Sequence, residues 1–404
     1  MLKWAMHFRV IKAFSFLVPL VFYLSFVVSY LIYYFSIPKV IIASDLVSFL
    51  TGAEILKSGK AGEIYDKDLQ YTYQLKVIEP DFKYNLLPFR GLPIVAWLFV
   101  PLSYLKLNSA FVLLILINIF ILFLFNRISS KLFPKIDKLK YLFLITLFYW
   151  PTVSTMILGQ FTLLLVLIFL LVYKYSKDKN YFLAGITSGV LLVKPQYLLF
   201  IPFLFFLIRE KRKFIKGLLI SSILIILVNI SISGLGELLK YPSFIIGTET
   251  INYGSRPYHM FTLFALFKLT PNLSNIPQLT LVALNFIVYL LTLVLFVRRR
   301  RKISFDYAFV AGMIFTVLFS VHALVHDLLI LLVPIFILLN LVLKRGEVKL
   351  SIDKILIGLL FFLPTVILFG YTLWAIVLLI FCGYFLTFFL QKATSNNQIS
   401  VGPI

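Results

Sequence analysis

FSFLVPLVFYLSFVVSYLIYYFSIPKVIIASDLVSFLTGAEIL, residues 14–56, sets how the rest of the chain is read. Its first 22 residues, Phe14 to Phe35, carry no charge and follow Lys3, Arg9 and Lys12. The run is longer than the core of a cleaved signal, and no small-residue cleavage site follows it directly. It reads as a retained anchor with the N-terminus in the cytoplasm, which places the next segment outside. That segment, about Ser36 to Leu92, is the one long polar stretch of the chain and holds seven carboxylates. The first of them, Asp45, sits a few residues beyond the anchor and is the candidate catalytic base.

Two helices are expected in this loop, lying at the outer membrane surface. Leu46, Phe49, Leu50, Ala53 and Leu56 recur at helical spacing, with Gly59 as a stop. Asp66 reads as the N-cap of Leu69 to Ile78, before Pro80. Asp45 also precedes a helix, so an ordinary N-cap role stands beside the catalytic one.

Beyond the loop the composition is that of a polytopic membrane protein. Of 404 residues 61% are hydrophobic and only 13% charged, with a mean hydropathy of +1.01, against about 25% charged in a soluble domain. The 43 Phe and 22 Tyr suit lipid contact and interfacial belts. The net charge of +22 falls mostly in short basic clusters between apolar runs. That is the positive-inside pattern, and it argues against a nucleic-acid partner. Cys382 is the only cysteine, so neither a disulfide framework nor a cysteine metal site exists.

Residues 92–105 are apolar but short and interrupted by Pro93 and Pro101; with the loop before them outside and the next span ending inside, either they dip into the membrane without crossing or one of those charge assignments is wrong. Phe111 to Phe125 is a span that ends inside, at a segment with five basic residues and one acid between Arg127 and Lys140. Tyr141 to Ile157 then returns outward, and Phe161 to Tyr173 comes back to Lys174, Lys177 and Lys179. Tyr181 to Val193 and Tyr197 to Ile208 flank an external Lys194-Pro195-Gln196 turn. Leu218 to Ile232 leads to a second external stretch, 233–278, with Arg256, Tyr258 and His259. Leu279 to Val297 descends to Arg298–Arg301, Phe305 to Phe319 rises, and Leu328 to Leu343 descends to Lys344 and Arg345. Ile355 to Phe369 and Leu373 to Leu390 complete about twelve crossings with both termini inside. Residues 1–390 form one integral membrane domain on this reading, and 391–404 a disordered cytoplasmic tail.

This topology gathers the unusual polar residues at one face. Asp45, Arg90, Gln160, Lys194, Gln196, His322, His326 and Asp327 all fall in external turns or at outer ends of spans. Ionisable groups at such depth are costly and are functional candidates by default. A carboxylate can deprotonate a hydroxyl, while Arg, Lys and His can hold a phosphate and stabilise the charge that grows on it. Transfer of a group from a lipid phosphate to an acceptor is the reaction these types suit. Plainer roles stand beside these. Lys194 can snorkel, Arg90 can cap the loop or bind a lipid phosphate, and Gln160 and Gln196 can serve as bundle hydrogen-bond partners. Asp327 can pair with Lys194 or Arg90. His322 and His326, four apart, would share a helix face and with Asp327 make an incomplete metal site.

Five pieces of the chain, in order, resemble glycosyltransferase family 87. They are SDLVSF (44–49), LLPFRGLPIVAWLFVPL (86–102), LGQFTLLLVLIFLL (158–171), AGITSGVLLVKPQYLLF (184–200) and SVHALVHDLLILLVP (320–334). Gly91-Leu92-Pro93 stands where many members pair prolines, and His326 where a Tyr is common. The resemblance implies an all-α GT-C bundle that takes a sugar, typically mannose, from a polyprenyl-phosphate donor. It implies Asp45 as the base and cationic residues on the donor phosphate; Arg90, Lys194 and His322 are the candidates for that role, with Asp327 orienting one of them and Gln160, Gln196 and His326 in support. Direct displacement would invert the anomeric carbon, turning a β-linked mannosyl phosphate into an α-mannoside. Neither metal nor cofactor is required, since fixed cations stabilise the leaving phosphate. The partners are then the lipid-linked donor, a glycan or glycolipid acceptor and the bilayer, with the site at the outer face of the cytoplasmic membrane. A transporter or flippase of a lipid-linked sugar would use the same basic cavity, but no repeat between halves is found. A non-catalytic membrane scaffold is the third reading.

Overall fold

The computed structural model describes residues 21, 23–37, 39–78, 85–136, 139, 141–254, 256–346, 351–369 and 372–388, and every regular element among them is helical. The start of the anchor, Pro80 and the tail 391–404 lie outside the described residues. Helix α1 is Tyr23–Ser36. The segment that follows holds α2 (Asp45–Lys57), α3 (Lys67–Val77) and α4 (Pro93–Phe99). Then come α5 (Leu107–Leu132), α6 (Leu142–Leu147), α7 (Trp150–Ile157), α8 (Thr162–Lys177), α9 (Tyr181–Gly189), α10 (Phe200–Leu207) and α11 (Lys211–Ser233). The remainder are α12 (Leu235–Thr248), α13 (Leu263–Leu269), α14 (Gln278–Arg299), α15 (Phe305–Phe319), α16 (Leu332–Arg345), α17 (Ile352–Phe362) and α18 (Thr372–Phe388).

Four helices are long and apolar enough to cross a membrane: Leu107–Leu132, Lys211–Ser233, Gln278–Lys302 and Val325–Arg345. At 1.5 Å per residue each exceeds the roughly 30 Å of a hydrocarbon core. Twelve uninterrupted spans are not what the described residues show, because several apolar runs break into shorter helices. The 141–157 run divides between α6 and α7 at Phe148 and Tyr149, just before Pro151. The Lys194-Pro195 step separates two runs of 13 residues, Tyr181–Val193 and Pro195–Leu207. Residues 92–105 become only α4 and a single tight turn, about 10 Å of α-helix, which is too short to cross.

Burial separates the centre from the rim. In α15 every residue from Tyr307 to Phe319 is buried, and 89% of the apolar window of Val325–Arg345 is buried. Phe309 packs edge-on against Phe200 at 4.9 Å and Tyr173 at 5.1 Å, locking α15 to α10 and α8. The windows of α5, α11 and α14 are only 28, 22 and 28% buried and turn residues such as Leu116, Phe120, Leu224 and Leu291 outward. Those three helices present the apolar surface that lipid would wet. Helices α9 and α11 cross almost backbone to backbone: a Cβ on Gly185 would lie 2.1 Å from the Phe214 carbonyl oxygen, and one on Gly217 2.2 Å from that of Phe182. Small residues permit this approach, as in membrane helix pairs generally.

The two helices expected after the anchor form, but not as simple amphipathic ribbons. α2 is buried from Leu46 to Ala53 because α4 covers its other side, with Phe49 stacked on Phe99 at 4.7 Å. α3 begins as its cap residue implies, Asp66 accepting from the Leu69 N–H at 2.7 Å. Its buried face, however, carries Gln70, Tyr73 and Gln74.

Candidate active site

Asp45 is the first residue of α2, and Ser44 is its N-cap position. The Ser44 hydroxyl turns back to donate to the Ile41 carbonyl at 2.6 Å, and neither side chain caps the helix. The ordinary capping role for Asp45 is therefore set aside. Its Oδ2 instead accepts from Gln160 Nε2 at 2.7 Å, 115 residues away in sequence. Gln160 is fixed from both sides: its N–H donates to the Thr155 carbonyl at 2.9 Å and its carbonyl accepts from the buried Asn118 amide at 3.0 Å. The turn that delivers it needs Gly159, whose φ is +66° and whose missing Cβ would fall 2.7 Å from Leu46 Cβ.

Arg90 is placed by two glutamines of α3. Gln74 donates to the Asn85 carbonyl at 3.0 Å and accepts from the Leu87 N–H at 2.7 Å. One turn earlier on α3, Gln70 accepts from the Phe89 N–H at 2.9 Å and donates to the Ile64 carbonyl at 2.6 Å. The amides thus act as a strand edge for alternate residues 85, 87 and 89 of an extended segment, and the buried Phe89 ring fixes its register. The Arg90 side chain enters the turn after α12. Nε donates to Thr248 Oγ1 at 3.2 Å, Nη2 donates to the Thr248 and Tyr253 carbonyls, and Nη1 lies 3.7 Å from Glu249 Oε2. Burial pulls the Arg90 guanidinium below its ordinary value, while Glu249 and then Asp45 hold it up. The cation persists, and it lies within the field of both carboxylates.

Lys194 lies between two tight turns, Val190–Val193 and Pro195–Leu199. Its Nζ donates to Asp327 Oδ1, so of the two partners open to Asp327 it is Lys194 that pairs with it. Asp327 is fully buried and satisfied on both oxygens: Tyr197 Oη donates to Oδ1 at 3.0 Å and the Leu324 N–H to Oδ2 at 3.0 Å. Gln196 Nε2 donates to the His322 carbonyl at 3.0 Å, tying this turn to the 320–324 segment.

The two histidines do not share a helix face. His322 lies in the irregular segment before Val325, with Nδ1 2.8 Å from Glu249 Oε1. His326 is buried in the first turn of Val325–Leu331, with Nε2 3.5 Å from Asp327 Oδ2. The i, i+4 metal geometry fails because helix begins only at Val325. Among the described residues no group of three His, Cys, Asp or Glu side chains is placed to hold a metal ion.

Gln196, His322, Glu249 and Arg90 thus form one chain of contacts, Lys194 precedes Gln196 by two residues in the same turn, and the Asp45–Gln160 pair lies in the field of Arg90. The sequence reading missed Glu249, Thr248, Tyr253 and Tyr197. A signal for Glu249 was present: 233–278 contains only two acids, Glu237 and Glu249, in a chain with 16. Both prove to be buried ties, Glu237 accepting from the Tyr65 N–H at 3.2 Å. The arrangement offers a carboxylate for proton transfer beside a set of cations already paired with carboxylates, which suits chemistry on an anionic group.

The family model for glycosyltransferase family 87 matches residues 92–321, more than half of the chain. The match includes Gln160, Lys194, Gln196 and Glu249; Asp45 and Arg90 precede it and His322 follows it directly. No curated protein and no solved structure matches.

Proposed function

The chain belongs to glycosyltransferase family 87, a membrane-embedded glycosyltransferase, and we propose that it moves a hexose, mannose by the family's habit, from a polyprenyl-phosphate sugar to an acceptor hydroxyl at the outer face of the cytoplasmic membrane. The observation that carries the proposal is the Asp45 carboxylate, held by Gln160 rather than used as a cap, in the field of a partly buried Arg90 that Glu249 joins to His322.

In this reading Asp45 takes the proton of the acceptor hydroxyl as its oxygen attacks the anomeric carbon. The carbon–oxygen bond to phosphate breaks on the opposite face, and the configuration inverts. Arg90, Lys194 and His322 hold the phosphate and stabilise the charge it gains. Gln160 aims Asp45, Asp327 aims Lys194, and Gln196 anchors the backbone at His322, while His326 backs Asp327. About twelve traverses in a GT-C arrangement, several by paired short helices, remain part of this reading.

The outward orientation has its own support. The ends of α8 and α16 that carry Lys174, Lys177, Lys344 and Arg345 are opposite the ends that Gln160 and the Val325–Leu331 turn with Asp327 lead into. Lys177 pairs with Asp306 at 2.8 Å, at the start of α15, whose far end leads to His322. The basic ends belong in the cytoplasm, so the site belongs outside.

The test is transfer of radiolabelled mannose from synthetic polyprenyl-phosphate mannose into membrane lipids by wild type and Asp45→Asn at matched expression. The variant should lose about 10²–10⁴-fold in transfer and keep donor binding. Equal transfer by both proteins would remove Asp45 from the chemistry.

A further inference from the structure

Glu249 follows α12 directly, and its side chain is 7% exposed. Its carboxylate reaches two side chains from distant parts of the chain, His322 Nδ1 at 2.8 Å and Arg90 Nη1 at 3.7 Å. Both are assigned above to the donor phosphate, so a fixed negative charge stands inside the subsite meant for an anion. A group that only oriented the cations need not be charged; the Thr248 and Tyr253 carbonyls already do that for Arg90.

The charge matters because the phosphate changes valence in the reaction. The donor is a phosphodiester with one negative charge. When the bond from the anomeric carbon to the phosphate oxygen breaks, both electrons stay on that oxygen, and the proton of the acceptor goes to Asp45. The lipid left behind is a phosphomonoester with a charge near −2 at neutral pH. A buried carboxylate repels the second charge as it does the first, with little screening.

We infer that Glu249 is a specificity-determining residue that makes this subsite favour the singly charged phosphodiester over the doubly charged phosphomonoester, and so drives release of the spent polyprenyl phosphate. The inference rests on the lipid-phosphate reading above and adds a prediction with a sign that a merely structural residue would not give. Loosening Arg90 and His322 would weaken both ligands. Removing a competing charge strengthens both, and the monoester most.

The experiment measures dissociation constants of purified, lipid-reconstituted wild type and Glu249→Gln for polyprenyl phosphate and for polyprenyl-phosphate mannose without acceptor. Glu249→Gln should bind polyprenyl phosphate about tenfold tighter and the donor only about threefold tighter, with stronger product inhibition in transfer. Glu249→Asp should restore the wild-type ratio. A ratio unchanged in Glu249→Gln, or weaker binding of both lipids, would overturn the inference. Should Glu249→Gln fail to fold, the wild type alone decides: it must bind the methyl ester of polyprenyl phosphate, a singly charged phosphodiester, more tightly than the free monoester, and the reverse order overturns the idea. Binding of neither lipid by wild type would instead overturn the donor reading itself.

Discussion

Gly159→Ala tests whether the Asp45–Gln160 contact is needed for the chemistry. Gly159 has φ +66°, so an alanine there costs about 1–2 kcal/mol in backbone strain alone. Its Cβ would also fall 2.7 Å from Leu46 Cβ and 3.3 Å from Leu46 N, where ordinary contact is 3.4–4 Å. Leu46 is fully buried and follows Asp45, so the first turn of α2 must retreat by roughly 1 Å, adding about 1–3 kcal/mol of overpacking. A shift of that size stretches the 2.7 Å hydrogen bond from Gln160 and misplaces the carboxylate, which costs about 10²-fold in rate. Gly59→Ala is the matched control: its φ is +77°, but nothing lies within 4 Å of the added Cβ. Both variants should unfold at lower temperature than wild type. Only Gly159→Ala should lose transfer, as a fall in kcat with little change in donor KM. Equal kcat in the two variants, or a loss confined to KM, would refute the reasoning.

Two further outcomes follow from other contacts. Asp327→Asn leaves Lys194 without its carboxylate and Lys194→Met leaves the fully buried Asp327 without its cation, so each should lose about 3–5 kcal/mol in thermal or denaturant unfolding. The Lys194→Met/Asp327→Leu double variant should recover most of that stability while transferring no sugar. Burial, and then Arg256, hold the half-buried His259 imidazole below its ordinary value of 6.5, so the unfolded chain takes up this proton first as pH falls. His259 therefore withdraws stability as pH drops through 6.5 toward its lower folded value, and His259→Gln should flatten the fall in unfolding temperature over that window.

What could be read ahead of the structure was what leaves a local mark. Asp66 announces α3 because a capping carboxylate must sit within three residues of the amide it serves, and Leu69 is that amide. The Asp45 question stayed open because Ser44 and Asp45 are both cap-type residues, and only the direction of the side chains separates them. Composition reported apolar surface without reporting length, so the 141–157 run, which breaks at Tyr149, looked like a full span. The stretch 233–278 read only as a second external stretch, yet it holds α12, with Pro242 inside the helix, and α13. Gln70 and Gln74 gave no warning at all. A glutamine that replaces a strand edge for Phe89 and Leu87 has the same pattern as one in water, and its partner is set by tertiary packing. The site drew most of its missed members from that source. Glu249, Thr248 and Tyr253 meet Arg90 across about 160 residues of chain, with only the scarcity of acids to mark Glu249.

The pairing of each cation also shapes how a phosphate would be received. Fully buried, Asp327 accepts from Tyr197, the Leu324 N–H and Lys194 together, so it stays in place when a ligand arrives. An ammonium has three N–H donors, and Asp327 takes one of those on Lys194. Under the proposed reaction the remaining donors would meet a phosphate oxygen on the side where Lys194 is 16% exposed, and Lys194 would keep its paired carboxylate throughout. Glu249 differs from Asp327 in facing a guanidinium and an imidazole from different segments, the imidazole on an irregular stretch of chain. Under the proposed reaction the two carboxylates therefore divide the task. Asp327 holds a cation ready for the phosphate throughout, while Glu249 weakens the hold on that phosphate once its charge has doubled.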